Sequence, residues 1–187
     1  MTTSEATSVC SLAMAGMLSA WIARNGVPLA IRPIRPDDEQ RMVRFHHSLS
    51  DRSVYLRYFH FLNLDARTAH DRLAHVCHVD YARERVLVAE SSDGEIAAVG
   101  RLTRDETMDD AEFALLVSDA WQDRGIGSEL LRRLVQLARE VGVRLVVGDI
   151  LAENQGMQEV CSALGFELKY SLEDHVVKAT LFLKPTR

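Results

Sequence analysis

The sequence predicts a single mixed α/β domain: a central mixed sheet with helices on both faces. Three observations predict it. An apolar run at 111–117 leads into a glycine turn and then a long amphipathic stretch at 126–141, the order strand, loop, helix. The run 145–150 is almost wholly apolar, as a strand buried on both faces would be. Two further strand-like runs, 85–90 and 96–102, flank Ser92-Asp93-Gly94-Glu95, which reads as a hairpin turn.

The elements follow in order. Residues 27–33 alternate as a strand and stop at prolines. Pro36-Asp37-Asp38-Glu39 opens a helix, with acidic residues in its first turn. Asp51 is the expected N-cap of a second helix at 53–59, and Asp65 of a third carrying Ala66, Ala69, Leu73 and Val76 on one face. Three strands come next, the last at 111–117. In the helix after the glycine turn, Ile126, Leu130, Leu131, Leu134, Leu137, Ala138 and Val141 share one face, and Gly142 stands where a C-cap belongs. A strand at 145–150, a helix at 154–164 closed by Gly165, and strands at 167–172 and 176–183 complete the domain. Residues 1–26 read as an N-terminal helical arm. Its apolar residues pack either on the domain, residues 27–187, or on a second subunit in a homodimer.

Composition narrows the function. The 187 residues are 47% hydrophobic and 26% charged, with a net charge of −5. That balance argues against nucleic acid, whose phosphates call for clustered Lys and Arg. The apolar run at 11–22 is too short to span a bilayer and lacks the basic start of a secretory signal. The odd set Cys10, Cys77 and Cys161 forms no disulfide framework. A cytoplasmic protein without membrane contacts is expected.

The segment Gln122-Asp123-Arg124-Gly125-Ile126-Gly127-Ser128 carries the strongest chemical signal. The first N–H groups of a helix lack internal partners, and its dipole is positive there. Glycine lets the backbone approach a phosphate closely. A P-loop would need a lysine and a dinucleotide fingerprint a third glycine, and neither is present.

Gln122, Gly125 and Gly127 fill the pattern Gln/Arg-x-x-Gly-x-Gly/Ala. The segment therefore resembles the pyrophosphate loop of the GNAT superfamily of N-acetyltransferases, and the order of elements over residues 28–184 is also that family's. The resemblance implies that backbone amides of Asp123, Arg124, Gly125, Ile126, Gly127 and Ser128 hold the pyrophosphate of acetyl-CoA, the cosubstrate. It implies that Leu116 and Val117, on the preceding strand, border the pantetheine arm. It also implies that Asn154 contacts CoA, beside an N-cap role that the residue type alone suggests.

A narrower resemblance rests on Ile31-Arg32-Pro33-Ile34-Arg35-Pro36-Asp37-Asp38, on Leu49-Ser50-Asp51-Arg52-Ser53-Val54-Tyr55-Leu56-Arg57-Tyr58-Phe59, and on His78-Val79-Asp80-Tyr81. Ala111-Glu112-Phe113-Ala114 and Ala152-Glu153-Asn154 complete it. These are similar to the acetyltransferase domain of bacterial protein-lysine acetyltransferases that act on acyl-CoA synthetases. Those domains are often fused to a regulatory module that these residues do not include, so regulation by small nucleotides is not implied. Acetylation of a small amine and CoA sensing without turnover stand as the alternatives.

Transfer to an amine requires the ammonium to lose a proton, since a free lysine has a pKa near ~10.4. A carboxylate beside the acetyl group can take it. The resemblance makes Glu112 that base, with Asp109 and Asp110 as substitutes. Many family members place a tyrosine acid where this chain has Cys161, so thiolate protonation by tyrosine is not expected here. His70, His75, Cys77 and His78 match no closed zinc spacing, and no metal is expected. Tyr55, Arg57, Tyr58, Asp80 and Tyr81 lie in the segment that borders the acceptor groove in the family.

Overall fold

A computed structural model describes residues 19–104, 109–171 and 173–183. Among the described residues eight strands form one sheet in the order β1-β2-β3-β4-β5-β6-β8-β7. They are β1 Ser19–Ile22, β2 Pro28–Pro33, β3 Glu84–Glu90, β4 Ile96–Arg104, β5 Asp110–Val117, β6 Leu145–Leu151, β7 Glu167–Ser171 and β8 Val176–Phe182. The helices are α1 Glu39–His47, α2 Asp51–Tyr58, α3 Leu64–Thr68, α4 His70–Cys77, α5 Ile126–Glu140 and α6 Gln155–Ala163. Only β5 and β6 pair in parallel; the other neighbours are antiparallel.

Each face of the sheet has its own core. Helix α5 buries Leu130, Leu131 and Leu134 completely against one face, with Leu87, Ala98 and Val146. Each such leucine contributes about 1.5–3 kcal/mol of burial. On the other face Met42 and Phe45 of α1, Val54 of α2 and Leu73 of α4 cover Val86, Val88 and Leu116. Between β2 and α1, Arg32 donates to both carboxylate oxygens of Asp38, at 2.6 and 2.7 Å. Asp38 also accepts from Arg41 Nη1 and the Arg35 amide, and Arg32 is paired to Glu90. Burial would raise the Asp38 pKa, but the bonds from Arg32, Arg35 and Arg41 outweigh it, and the carboxyl sits below its usual range.

Three expectations change. The N-terminal arm is not helical over Ser19–Ile22: these residues are strand β1, paired with β2 and exposed at alternate positions. A short apolar run does not distinguish strand from helix, and the open edge of β2 decides it. The rest of the expected arm, residues 1–18, lies outside the described residues. Helix α2 is capped by Ser50, whose Oγ accepts from the Ser53 amide, so Asp51 becomes its first residue. The third expected helix is two, α3 capped by Asn63 and α4 starting after Ala69, whose ψ of 134° is extended.

Candidate active site

β5 and β6 pair over only three registers, from Asp110↔Leu145 to Glu112↔Val147. Beyond Glu112, β5 stays paired to β4 as far as Val117 but has no strand partner on its other side among the described residues. The strands part around Phe113. Its ring packs edge-on against Phe166, with centroids 5.4 Å apart, and covers Gly148, where a Cβ would stand only 2.4 Å from Phe113 Cε1. The opening is a cleft of about 690 Å³.

The glycine loop stands at the end of β5. Asp123 and Gly125 are both left-handed, with φ of 59° and 85°. Glycine adopts this without a Cβ clash, and a short acidic side chain tolerates it. Such alternation aims successive N–H groups to one side, and Gly125 is also the N-cap residue of α5. The loop is tied down from several directions. Gln122 Nε2 donates to Ser53 Oγ at 2.9 Å and to the Val117 carbonyl at 3.3 Å. Asp119 accepts from the Ser50 amide, Ser50 Oγ and Ser53 Oγ, which fastens the start of α2 to the turn before the loop. The Arg24 amide donates to the Arg124 carbonyl at 3.1 Å, and the Arg124 guanidinium lies 4.8 Å from the Trp121 ring centroid.

Most residues singled out in the sequence line this cleft. Glu112 is at one end, Leu116 and Val117 along β5, Gln122, Asp123 and Gly125 to Ser128 at the other end, and Asn154 on the opposite wall. Arg124 does not line it, since its side chain turns to Trp121. Glu112 is exposed and makes no hydrogen bond or ion pair among the described residues. Asn154 Oδ1 accepts from the Met157 amide at 3.2 Å, an N-cap of α6. Asp109 pairs with Arg144 at 3.0 Å, and neither it nor Asp110 reaches the cleft.

Of the acceptor-side set, Arg57 and Tyr58 line the cleft. Tyr55 instead stacks on Phe61, Tyr81 donates to the Ile34 carbonyl, and Asp80 accepts from the Ala82 amide. His70 pairs with Glu39, His78 Nδ1 contacts the Ala74 carbonyl, and Cys77 is in the core. Among the described residues no three His, Cys, Asp or Glu converge on a common point. Cys161 is fully buried, and burial pushes its thiol up to about 12.

Sequence reasoning missed Arg24, Ser53 and Asp119. Arg24 sits on the hairpin turn after β1 and lines the cleft beside Gly125. The serine pair Ser50 and Ser53 and the acid Asp119 are 66 or more residues apart in sequence, and no local pattern joins them.

A parallel strand pair that opens toward a glycine loop at a helix N-terminus, with a carboxylate at the closed end, defines a CoA-dependent acyltransferase. Residues 29–167 match the family model described as an acetyltransferase (GNAT) domain, and the chain belongs to that family. It is an acetyl-CoA-dependent acetyltransferase. It is 31% identical over 145 residues to Acetyltransferase PA5475 of Pseudomonas aeruginosa, covering 76% of each chain. It is 33% identical over 146 residues to Acetyltransferase Pat of Mycolicibacterium smegmatis, covering 76% of this chain but 42% of that one. The crystal structure of the GNAT domain of S. lividans PAT superposes with a TM-score of 0.81 at 32% identity, over 90% of this chain and 98% of that one. Among the described residues no helix is long and apolar enough to cross a membrane.

Proposed function

We propose that this chain transfers the acetyl group of acetyl-CoA directly to a primary amine, the ε-amine of a protein lysine, with Glu112 as general base. The observation that carries the proposal is the end of β5–β6 pairing at Glu112. From there to Val117, five strand steps span about 17 Å, comparable to an extended pantetheine arm. Free backbone groups of β5 suit that arm, past Leu116 and Val117. The amides of Asp123 to Ser128 suit the pyrophosphate, with Arg24 adding charge at the loop. Asn154 lies on the facing wall.

Glu112 then sits at the thioester end. As the amine attacks the thioester carbonyl, its proton passes to the Glu112 carboxylate, directly or through water. The tetrahedral adduct collapses, the C–S bond breaks, and CoA leaves as a thiolate that is protonated by water. Cys161 is buried in the core and takes no part.

The protein-lysine acceptor rests on the likeness of the residue 31–38, 49–59 and 78–81 segments to bacterial protein-lysine acetyltransferases. The test is CoA release in an acceptor screen that includes acyl-CoA synthetases and small amines. Labelling of a synthetase lysine is the expected result. Steady turnover with small amines alone would overturn the protein acceptor.

A further inference from the structure

A second cavity, of about 270 Å³, adjoins the cleft on the side of α1, α2 and α4. Arg57, Tyr58, Ala114 and Leu116 line both. On β5, Glu112, Ala114 and Leu116 alternate onto this face, opposite Thr103, Arg101 and Val99 of β4. The cavity thus opens beside the Glu112 end.

Its walls carry an excess of positive charge. Arg57, Arg72 and Arg101 all line it, with His46 and His75. Arg101 is neutralised by Glu84, whose two oxygens accept from its Nη1 at 2.9 Å. Arg57 and Arg72 form no ion pair among the described residues; the acid that acts on Arg57 is Glu112 at the cleft, while burial and the charges of Arg101 and Arg72 oppose it. Each guanidinium lies 5.0 Å from the centroid of the Tyr58 ring. Arg72 Nε is buried without a hydrogen-bond partner. His46 is 2% exposed, and its Nδ1 likewise has none. Burial, and then the charges of Arg72 and Arg67, push the His46 pKa down to about 4, so its ring is neutral and adds no repulsion.

Two guanidiniums and a buried, unpartnered ring nitrogen that line one small cavity suit a carboxylate. The volume falls just below that of whole-ligand pockets, so it suits one anionic group. We infer that Arg57, Arg72 and His46 form a subsite for a carboxylate that the acceptor carries close to its reacting amine. This rests on the placement of the acceptor amine beside Glu112. The carboxylate is either an acidic side chain neighbouring the target lysine or the carboxylate of a free amino acid.

Two measurements on the full chain test it. The first titrates glutarate against the His46 ring-proton resonance, assigned by its loss in His46→Asn. A saturable shift that disappears in Arg72→Gln is expected. No saturable shift, or an equal shift in Arg72→Gln and in Arg57→Gln, overturns the subsite. Acetyl-CoA titration of each variant checks that it is folded.

The second measures kcat/KM for lysine peptides bearing Glu or Gln beside the lysine, and for free amino acids against their amides. The carboxylate form is expected to win by about tenfold, as a charge-assisted hydrogen bond implies, and the advantage to collapse in Arg72→Gln. A win in the peptide series assigns the site to a protein; a win in the free series assigns it to a small molecule. Equal rates in both series overturn it. Glutarate binding without turnover on any acceptor would establish the anion site while overturning the acetyl-transfer reading.

Discussion

The ring of Phe113 covers Gly148 at the point where β5 and β6 separate. Any side chain at 148 would overlap the ring, so the two residues together set where the cleft begins.

Gly148→Ala should therefore overpack this joint and cost about 1–3 kcal/mol of stability. Urea unfolding measures it. The ring would also be driven toward the cleft, so acetyl-CoA affinity should fall in the same variant. An unchanged midpoint and affinity would mean that the ring does not hold this position.

Glu112→Gln keeps the shape of the side chain and removes the base. At saturating acetyl-CoA and pH 8, kcat should drop by about 10²–10⁴-fold, with acetyl-CoA affinity retained. Turnover near wild type would exclude Glu112 as the base.

Gly125→Ala places a Cβ on a left-handed residue at a cost of about 1–2 kcal/mol, with Arg24 Nε only 3.3 Å from the new atom. Acetyl-CoA binding by calorimetry should weaken by tenfold or more, on the scale of about 1.4 kcal/mol per decade. Arg24→Ala should weaken it less, and its effect should fade with added salt because the side chain is exposed.

Asp38 gives the pH dependence. Its folded pKa lies below the unfolded value, so the stability it supplies is complete above the ordinary carboxylate range. That stability is lost as pH falls through the depressed folded value. Asp38→Asn leaves Arg32 buried with Glu90 as its remaining acid, and should cost about 3–5 kcal/mol at pH 7. Urea midpoints between pH 7 and pH 3 should fall less steeply in the variant than in the wild type.

The elements readable from the sequence were those governed by local rules. Helix α5 follows from leucines at helical spacing, and its ends from Gly125 and Gly142, both at positive φ. The Asn154 cap and the β3–β4 hairpin at Gly94 follow from chemistry within a few residues. Where local signals were ambiguous they misled: Ser19–Ile22 is a strand because β2 offers an edge, and Ala69 breaks what looked like one helix.

By itself, then, the sequence determined the strand–loop–helix proposed to hold the pyrophosphate, and the carboxylate one strand-length before it. Those features need only periodicity and backbone sterics over one or two turns. The tertiary structure decided the rest: the parting of β5 from β6, the approach of Arg24 to Gly125, the Asp119 clamp on α2, and the meeting of Arg57, Arg72 and His46. Each depends on residues distant along the chain, and only the packing of helices on a twisted sheet sets where they stand relative to one another.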